Sequence, residues 1–301
     1  MVEYLKEYLK INDVEYKENQ KLSEYSLIKI GGAADLIAFP DTEKKLCDLI
    51  YFCETISAKY KLVGNLSNLL PIDEGYRGII VKTDRLNRAE LVGDTVDVGC
   101  GAKLPKLAAD LANASLSGFE GLSGIPGQVG GSVRGNAGAF GREIGELVLS
   151  CTVYSKELNR AFVLTKNDIS FRYRTSSLIL NDLIILSVKF KLCFADKDSI
   201  LSEMRRCRDV RKKTQPTEYP SLGSFFKRTE SGESAAKLID MCGLKGVKLG
   251  GAAVSEKHAG FIINVSEASS YDVLSLADLV AERVFECFSI RLCPEVEVLV
   301  K

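Results

Sequence analysis

A glycine-rich segment, residues 121–141, constrains the fold of this chain more than any other stretch. It reads GLSGIPGQVGGSVRGNAGAFG and carries eight glycines, one proline and no lysine. Because glycine inside a helix costs about 1 kcal/mol relative to alanine, we expect this run not to form an ordinary helix. Apolar residues are interleaved through it, which a solvated linker does not require. We therefore expect an ordered, tightly turned segment.

Glycines of this kind serve two purposes. They allow positive φ and close approach of the backbone to a ligand, and successive bare amides form concave sites for anions such as pyrophosphate. A buried structural loop is the alternative interpretation. The segment is neither a Walker A loop, since GK[ST] is missing, nor the G-x-G-x-x-G fingerprint of a dinucleotide-binding βαβ unit.

Composition excludes several classes of function. The 301 residues include 40 basic and 40 acidic side chains, so we expect no broad nucleic-acid or membrane surface. No apolar run has the length of a membrane span, and the charged start MVEYLKEYLK is unlike a signal peptide. Nine cysteines without a CxxC pair indicate a reduced, cytoplasmic chain. The single histidine, His258, excludes a metal site built from several histidines.

The pattern along the chain indicates an α+β protein. Residues 1–20 predict a short amphipathic helix followed by a polar connector. A strand at 35–39, a helix beginning near Thr42 and strands at 61–63 and 78–82 suggest a βαβ unit with a ligand at its carboxyl edge. A hairpin turns at Gly93-Asp94, and a helix starts at Pro105. A linker helix at 199–213 leads to a break at 214–220.

Six segments together carry a specific resemblance. Beside the segment GIPGQVGGSVRGNAGAFGREI stand GNLSN (64–68), FRYRTS (171–176), SLGSFFK (221–227), SEKHAGF (255–261) and PEV (294–296). In this order they resemble the UDP-N-acetylenolpyruvoylglucosamine reductase family, flavoenzymes of bacterial peptidoglycan precursor synthesis. The chain departs from the family pattern at Leu66, where glycine is usual, and at Thr229, where proline is common. Only 50 positions separate Arg174 from Ser224, so we expect the shorter subtype.

The resemblance implies an α+β fold: an FAD-binding domain of the vanillyl-alcohol-oxidase (PCMH) type and a smaller α+β substrate domain. The expected limits are 1–20 for an N-terminal helix and 21–194 for the FAD-binding domain. A linker helix and boundary follow at 195–220, and the substrate domain covers 221–301. Its terminal strand, Glu295–Val300, is expected to return to the active site.

The resemblance also implies the site residues. Arg174, Ser224 and Glu295 match the catalytic arginine, serine and glutamate of the family; Glu297 lies on the same strand face as Glu295, but the motif register favours Glu295. Substrate-binding residues would be Tyr173, Lys227, Lys257 and His258, and no metal is expected. The residues expected to bind FAD are Gly64, Asn65, Ser67, Asn68, Leu69, Gly124, Ile125, Pro126, Gly127, Val129, Gly130, Gly131, Asn136, Ala137, Gly138 and Ala139.

The implied activity is NADPH-dependent reduction of UDP-GlcNAc-enolpyruvate to UDP-N-acetylmuramate through tightly bound FAD. The expected location is the bacterial cytoplasm, with a UDP-sugar substrate, no nucleic-acid or membrane partner, and a monomer. Two alternatives remain open: another FAD-dependent oxidoreductase or oxidase on the same fold, and an FAD-binding protein that has lost turnover.

Overall fold

The computed structural model describes residues 1–300. Among them, the helices expected near the N-terminus, after Thr42, near Pro105 and in the linker are all present. The helices are α1 (Val2–Ile11), α2 (Glu43–Thr55), α3 (Leu104–Asn113), α4 (Val129–Arg134), α5 (Ser177–Leu180), α6 (Lys197–Thr214), α7 (Ala235–Met241) and α8 (Ser270–Phe288), with 3-10 turns at Leu22–Glu24, Ile144–Glu146 and Lys166–Asp168.

The strands are short and numerous. They are β1 (Glu15–Lys21), β2 (Ala33–Phe39), β3 (Tyr60–Val63), β4 (Leu69–Pro71), β5 (Tyr76–Lys82), β6 (Ala89–Val92), β7 (Thr95–Gly99), β8 (Leu116–Ser117), β9 (Gly138–Ala139), β10 (Arg142–Glu143), β11 (Val148–Ser155), β12 (Arg160–Thr165), β13 (Phe171–Arg172), β14 (Thr175–Ser176), β15 (Ile184–Lys191), β16 (Cys193–Phe194), β17 (Ser221–Ser224), β18 (Lys248–Leu249), β19 (Ala252–Val254), β20 (Phe261–Asn264) and β21 (Glu297–Leu299).

The chain divides into two compact units. The first contains residues 1–17, 37–64 and 79–209; the second contains residues 18–36, 65–78 and 210–301. Residues 18–36 and 65–78 thus group with the C-terminal residues, whereas the sequence placed most of them in the FAD-binding domain. The domain limits expected from the sequence stay a prediction.

The first unit is built on a five-stranded antiparallel sheet in the order β12-β11-β15-β7-β6. Val188 on the central strand β15 lies opposite Cys151 on β11 and Val98 on β7, and all three side chains are fully buried. The hairpin expected at Gly93-Asp94 joins β6 to β7 as predicted. This row of apolar side chains fixes the register, because a slip by one residue would turn them to the opposite face.

A parallel strand pair in the same unit supplies an edge for polar residues. Strands β3 and β5 run parallel, with Val63 opposite Lys82. Helix α2 precedes β3 and is capped at its N-terminus by Thr42, whose Oγ1 accepts a hydrogen bond from the amide of Lys45 at 3.2 Å. The helix buries Leu46, Leu49, Ile50 and Cys53, as its periodicity predicts.

Two sequence expectations are wrong. The connector after α1 forms the strand β1. Within the glycine-rich segment, residues 129–134 form the short helix α4 even though it contains Gly130 and Gly131. A Cβ added to Gly130 would lie 2.8 Å from the Cβ of Cys100, so glycine lets this helix approach the neighbouring backbone closely. Tertiary packing therefore outweighs the poor helix propensity of glycine here.

The second unit contains the four-stranded antiparallel sheet β17-β20-β19-β18 with helices α7 and α8. Helix α8 has a reciprocal capping box: the Ser269 Oγ accepts from the amide of Asp272 at 3.0 Å, and the Asp272 carboxylate accepts from the amide of Ser269 at 3.0 Å. Its inner face, including Val273, Leu276 and Val280, is buried in one apolar cluster with residues of the sheet.

Three further observations concern residues 1–300. None of the helices there is both long and apolar enough to cross a bilayer. Over the same range, no cluster of three or more histidine, cysteine or acidic side chains is arranged to hold a metal. All nine cysteines lie within it and are free thiols, and burial raises the pKa of Cys53, Cys100 and Cys151 to about 12.

Candidate active site and cofactor-binding segments

Ser224 and Glu295 lie on neighbouring backbone segments of the second unit. Ser224 ends β17 opposite Phe261, and the strand carries a bulge between Ser221 and Ser224. Gly223, at φ +82°, provides the positive φ that this bulge requires. The next residue, Phe225, accepts at its main-chain oxygen from the amide of Glu295 at 2.8 Å. Main-chain hydrogen bonding therefore places Glu295 beside Phe225, the residue that follows Ser224.

The position of Glu295 is fixed on both sides. Its neighbour Pro294 forms an antiparallel bridge with Phe226, and the amide of Lys227 donates to the oxygen of Cys293 at 2.9 Å. Two residues on, Glu297 begins β21, which pairs in parallel with β4, and its side chain is exposed. Of the two glutamates on this stretch, Glu295 is the one bonded to the segment that follows Ser224.

The loop 64–68 contacts Glu295 through its last residue. Asn68 Nδ2 donates to the main-chain oxygen of Glu295 at 2.9 Å, and the oxygen of Asn68 accepts from the amide of Glu297 at 3.0 Å. In the same loop, Leu66 has φ +48° and is buried. The position therefore does adopt the backbone conformation that favours the glycine usual in the family.

Arg174 lies in the first unit, in the tight turn between β13 and β14. Its φ is +55°, and its guanidinium lies 5.1 Å from the ring centroid of Tyr173, so the two expected site residues contact each other. The hairpin is attached to the glycine-rich segment, because Ser176 Oγ, which is buried, donates to the oxygen of Arg134 at 2.6 Å. The arginine is thus presented by a fixed support.

Asn136 forms a second link in this support. Its side chain is fully buried; Nδ2 donates to Glu143 Oε2 at 2.7 Å and to the oxygen of Arg172 at 3.1 Å. Its Oδ1 accepts from the amide of Gly145 at 3.1 Å. Because protein groups engage both side-chain atoms, any cofactor contact from Asn136 falls to its main chain.

Glycines of the expected FAD-binding set differ in what surrounds them. A Cβ on Gly64 would lie 2.6 Å from Gln128 Oε1, and a Cβ on Gly130 would meet Cys100. A Cβ on Gly131 would meet nothing within 4 Å. Gly131 therefore presents bare backbone to open space, which fits a segment that admits a cofactor, whereas Gly64 and Gly130 are required by protein packing.

The amides of Lys257 and His258 both donate hydrogen bonds to Ser255 Oγ, at 3.1 and 3.3 Å. Lys257 Nζ donates to Glu218 Oε2 at 2.9 Å and to the oxygen of Lys212 at 3.2 Å, and this ammonium lowers the pKa of the Glu218 carboxyl. The side chain expected to contact substrate is thus paired with a carboxylate of its own unit.

His258 has its tautomer set by the backbone. The amide of Gly260 donates to Nδ1 at 3.2 Å, so the neutral ring carries its proton on Nε2 and offers a donor there. Burial lowers the pKa of His258 below its ordinary value. Near neutral pH the ring is therefore an uncharged hydrogen-bond donor.

Comparison with known proteins identifies the family of this chain. Residues 215–299 match the model of the UDP-N-acetylenolpyruvoylglucosamine reductase C-terminal domain, and residues 34–157 match that of an FAD binding domain. The UDP-N-acetylenolpyruvoylglucosamine reductase of Lactococcus lactis subsp. cremoris (strain MG1363) is 40% identical over 289 residues, covering 96% of each chain. That of Caldicellulosiruptor bescii is 39% identical over 292 residues, covering 96% of this chain and 92% of the relative.

The chain belongs to the UDP-N-acetylenolpyruvoylglucosamine reductase family. The crystal structure of the UDP-N-acetylenolpyruvylglucosamine reductase from Thermus caldophilus superposes with a TM-score of 0.79 at 35% identity, covering 95% of this chain and 99% of that one. The expected family, the mixed α and β fold with an FAD-binding domain, and the class of FAD-dependent oxidoreductase are confirmed. The individual site residues stay predictions.

Sequence reasoning missed a set of buried or half-buried polar residues beside Gly64. They are Lys82, Thr83, Asp84 and Gln128, and their side chains contact one another. A signal was present, since Lys-Thr-Asp directly follows the apolar run Ile79-Ile80-Val81 at the end of β5. Polar side chains at the carboxyl end of a parallel strand are well placed to support a ligand site.

Proposed function

We propose that this chain reduces UDP-GlcNAc-enolpyruvate to UDP-N-acetylmuramate, a step of peptidoglycan precursor synthesis, with NADPH as the hydride donor and FAD as the bound cofactor. Family membership over nearly the whole chain supports the reaction. The structural observation that carries the proposal is the main-chain pairing that sets Glu295 beside the segment following Ser224. Both residue types are those the chemistry requires.

The substrate is an enol ether that bears a carboxylate, so it is reduced as a conjugate acceptor. Bound FAD supplies the hydride, which it obtains from NADPH. Negative charge then develops beside and on the carboxylate, and the remaining carbon needs a proton. The protein must therefore provide a cation for the carboxylate and a proton donor for the carbon.

Arg174 is proposed to hold the carboxylate. Its planar guanidinium forms two parallel hydrogen bonds with a carboxylate, and its attachment through Ser176 keeps it in place. Ser224 is proposed to donate the proton, since a hydroxyl both gives a proton and can be reprotonated from water. Glu295 is proposed to assist polarisation, for which it must be protonated or hydrogen-bonded so that it does not repel the substrate.

The remaining expected site residues are proposed to bind FAD or the UDP-sugar. Gly131, with open space beside it, and its neighbours in the segment 124–139 would lie against FAD. Asn65, Ser67 and Leu69 are proposed as cofactor contacts of the loop and β4. Tyr173 and Lys227, with Lys257 and His258, are proposed to hold the UDP-sugar; His258 would donate through Nε2.

The setting of the enzyme is also part of the proposal. Its substrates are charged nucleotides of the bacterial cytoplasm, and its buried cysteines are reduced thiols whose raised pKa keeps them unreactive. We propose that the enzyme works there as a monomer.

Flavin absorbance tests the function directly. The purified protein should show oxidised flavin; anaerobic NADPH should bleach it, and UDP-GlcNAc-enolpyruvate should restore it. A protein reoxidised by oxygen but unaffected by the sugar nucleotide would instead be an oxidase on the same fold. Flavin that NADPH does not reduce would indicate an FAD-binding protein without turnover, and a colourless protein would contradict every flavoenzyme assignment.

A further inference from the structure

Four polar side chains of the first unit form a closed network at the carboxyl edge of the parallel strands β3 and β5. Lys82 Nζ donates to the oxygen of Gly64 at 2.8 Å and lies 3.0 Å from Asp84 Oδ2. Gln128 Nε2 donates to Asp84 Oδ1 at 2.9 Å. Thr83 Oγ1 donates to Gln128 Oε1 at 2.7 Å. The contacts with Gly64 and Gln128 join residues 18 to 45 positions apart in the sequence, whereas Lys82 and Asp84 are close neighbours.

The orientation of Gln128 within this network is fixed by chemistry. The Asp84 carboxylate only accepts when ionised, so the amide nitrogen of Gln128 must face it and Oε1 must face the Thr83 hydroxyl. Gln128 is 3% exposed and the Lys82 side chain is 5% exposed. Water therefore cannot easily replace the hydrogen-bond partners of either side chain. Burial lowers the pKa of Lys82, while the Asp84 carboxylate opposes that shift.

The network joins the starting points of two amide-rich segments. Gly64 is the first residue of the loop 64–68, and Gln128 directly precedes helix α4 with Gly130 and Gly131. A Cβ on Gly64 would lie 2.6 Å from Gln128 Oε1, so the glycine at this position makes room for the Gln128 side chain. The Gly64 backbone and the start of α4 are thereby held in one relative position.

We infer that Lys82, Thr83, Asp84 and Gln128 are positioning residues for FAD, acting as a clamp between Gly64 and the start of α4. Lys82 and Asp84 compensate each other in charge, so the clamp contributes geometry and not net positive charge. An anion that takes amide donors from two segments loses affinity when the segments move relative to each other. The inference rests on the proposed role of these segments in FAD binding.

The primary test replaces Gln128 by methionine, which keeps the length of the side chain and adds no charge. The apoprotein is titrated with FAD and followed by flavin fluorescence, and its thermal unfolding is recorded separately. Gln128→Met should weaken FAD binding about tenfold or more, because it deletes one buried and one partly buried hydrogen bond. Asp94→Asn, which breaks the exposed ion pair with Lys191 in the same unit, is the matched control and should bind FAD like the parent.

A double-variant cycle separates positioning from general destabilisation. Gly64→Ala displaces the same Gln128 side chain. The double variant with Gln128→Met should therefore lose much less FAD affinity than the product of the two single fold-losses. Thr83→Val removes only one bond of the network and should weaken FAD binding several-fold, even if the larger changes impair folding.

The outcomes decide the inference. Parent affinity for FAD in both Gln128→Met and Thr83→Val would overturn the clamp, as would losses that multiply fully in the double variant. A parent protein that itself takes up no FAD would refute the proposed function, and that result is distinct from either of these.

Discussion

Asn68 donates a hydrogen bond from Nδ2 to the main-chain oxygen of Glu295 at 2.9 Å, across 227 positions of sequence. A residue expected to serve the cofactor thus also fixes the backbone of a residue expected to serve the substrate. The parallel pairing of β21 with β4 continues the same contact, because Glu297 lies opposite Leu69. The loop 64–68 therefore has a structural role in placing the C-terminal strand.

Replacing Asn68 by alanine should misplace Glu295. We expect Asn68→Ala to slow reoxidation of the reduced flavin by the sugar nucleotide about 10- to 100-fold, since small displacements of catalytic groups have effects of this size. Flavin reduction by NADPH should change less. Stopped-flow absorbance measures both steps. Asn12→Ala, which deletes an equivalent amide-to-backbone bond to Tyr8, is the control and should leave both rates unchanged.

Gly131 and Gly130 should respond differently to substitution. Gly131→Ala places its methyl group in open space and improves helix propensity by about 1 kcal/mol, so the apoprotein should be as stable as the parent or slightly more stable. FAD binding should weaken, and Gly131→Val should yield apoprotein. Gly130→Ala should instead lower the unfolding temperature, because its Cβ meets Cys100. Full flavin occupancy in Gly131→Val would contradict the assignment.

Leu66 combines burial with a left-handed backbone, and its substitutions should rank in an unusual order. Both Leu66→Ala and Leu66→Gly lose a buried side chain, which costs about 2–5 kcal/mol for alanine. Glycine alone relieves the positive φ, which is worth about 1–2 kcal/mol. Leu66→Gly should therefore be the more stable variant in urea unfolding. Leu36, at a buried position of β2, is the control: there Leu36→Ala should be more stable than Leu36→Gly.

The sequence predicted those parts of the fold that local patterns determine. The apolar face of α2 and the turn at Gly93-Asp94 both follow from residues that are close together in the sequence. The order of the motifs also predicted the family. Local chemistry sufficed because each of these features is stabilised by neighbours in the sequence.

Features that depend on distant contacts were not predictable in the same way. Helix α4 forms at Gly130 because Cys100 lies against it, and no local propensity contains that information. The clamp joins Asp84 to Gln128 across 44 positions, and the link between Asn136 and Arg172 spans 36. Such contacts become visible only when the folded backbone brings these residues together.

His258 should give the stability of the protein a defined dependence on pH. Its pKa is lowered by burial from the ordinary 6.5, so on acidification the unfolded chain binds the proton before the folded one. The contribution of neutral His258 to the free energy of unfolding is fully present above about pH 6.5. It is lost as the pH falls from 6.5 through the lower pKa of the folded state. Protonation also breaks the bond from the Gly260 amide to Nδ1.

The corresponding measurement is urea unfolding between pH 5 and 8 for the parent and for His258→Asn. The difference in the free energy of unfolding should shrink as the pH falls below 6.5, because the parent loses the histidine contribution and the variant has none to lose. A difference that stays constant across this range would show that His258 titrates equally in both states.

Replacing Ser224 by alanine should separate the two half-reactions. The serine hydroxyl has an ordinary pKa far above 7, so it becomes an effective acid only when a carbanion-like centre forms beside it. Hydride transfer from NADPH to the flavin uses no proton from the serine, so Ser224→Ala should reduce FAD at nearly the parent rate. Reoxidation by UDP-GlcNAc-enolpyruvate should slow by about 10²–10⁴-fold, as for the loss of a general acid.

Rapid-mixing absorbance of the flavin resolves these steps, and Ser224→Cys should recover part of the loss because a thiol can also donate a proton. Ser176→Ala provides the contrast, since its hydroxyl is buried and already donates to the oxygen of Arg134. Ser176→Ala should loosen the support of Arg174 without removing the proton donor. Ser176→Cys should not restore that support. If Ser224→Ala slowed NADPH oxidation and left substrate reduction untouched, the proton-donor role of Ser224 would be wrong.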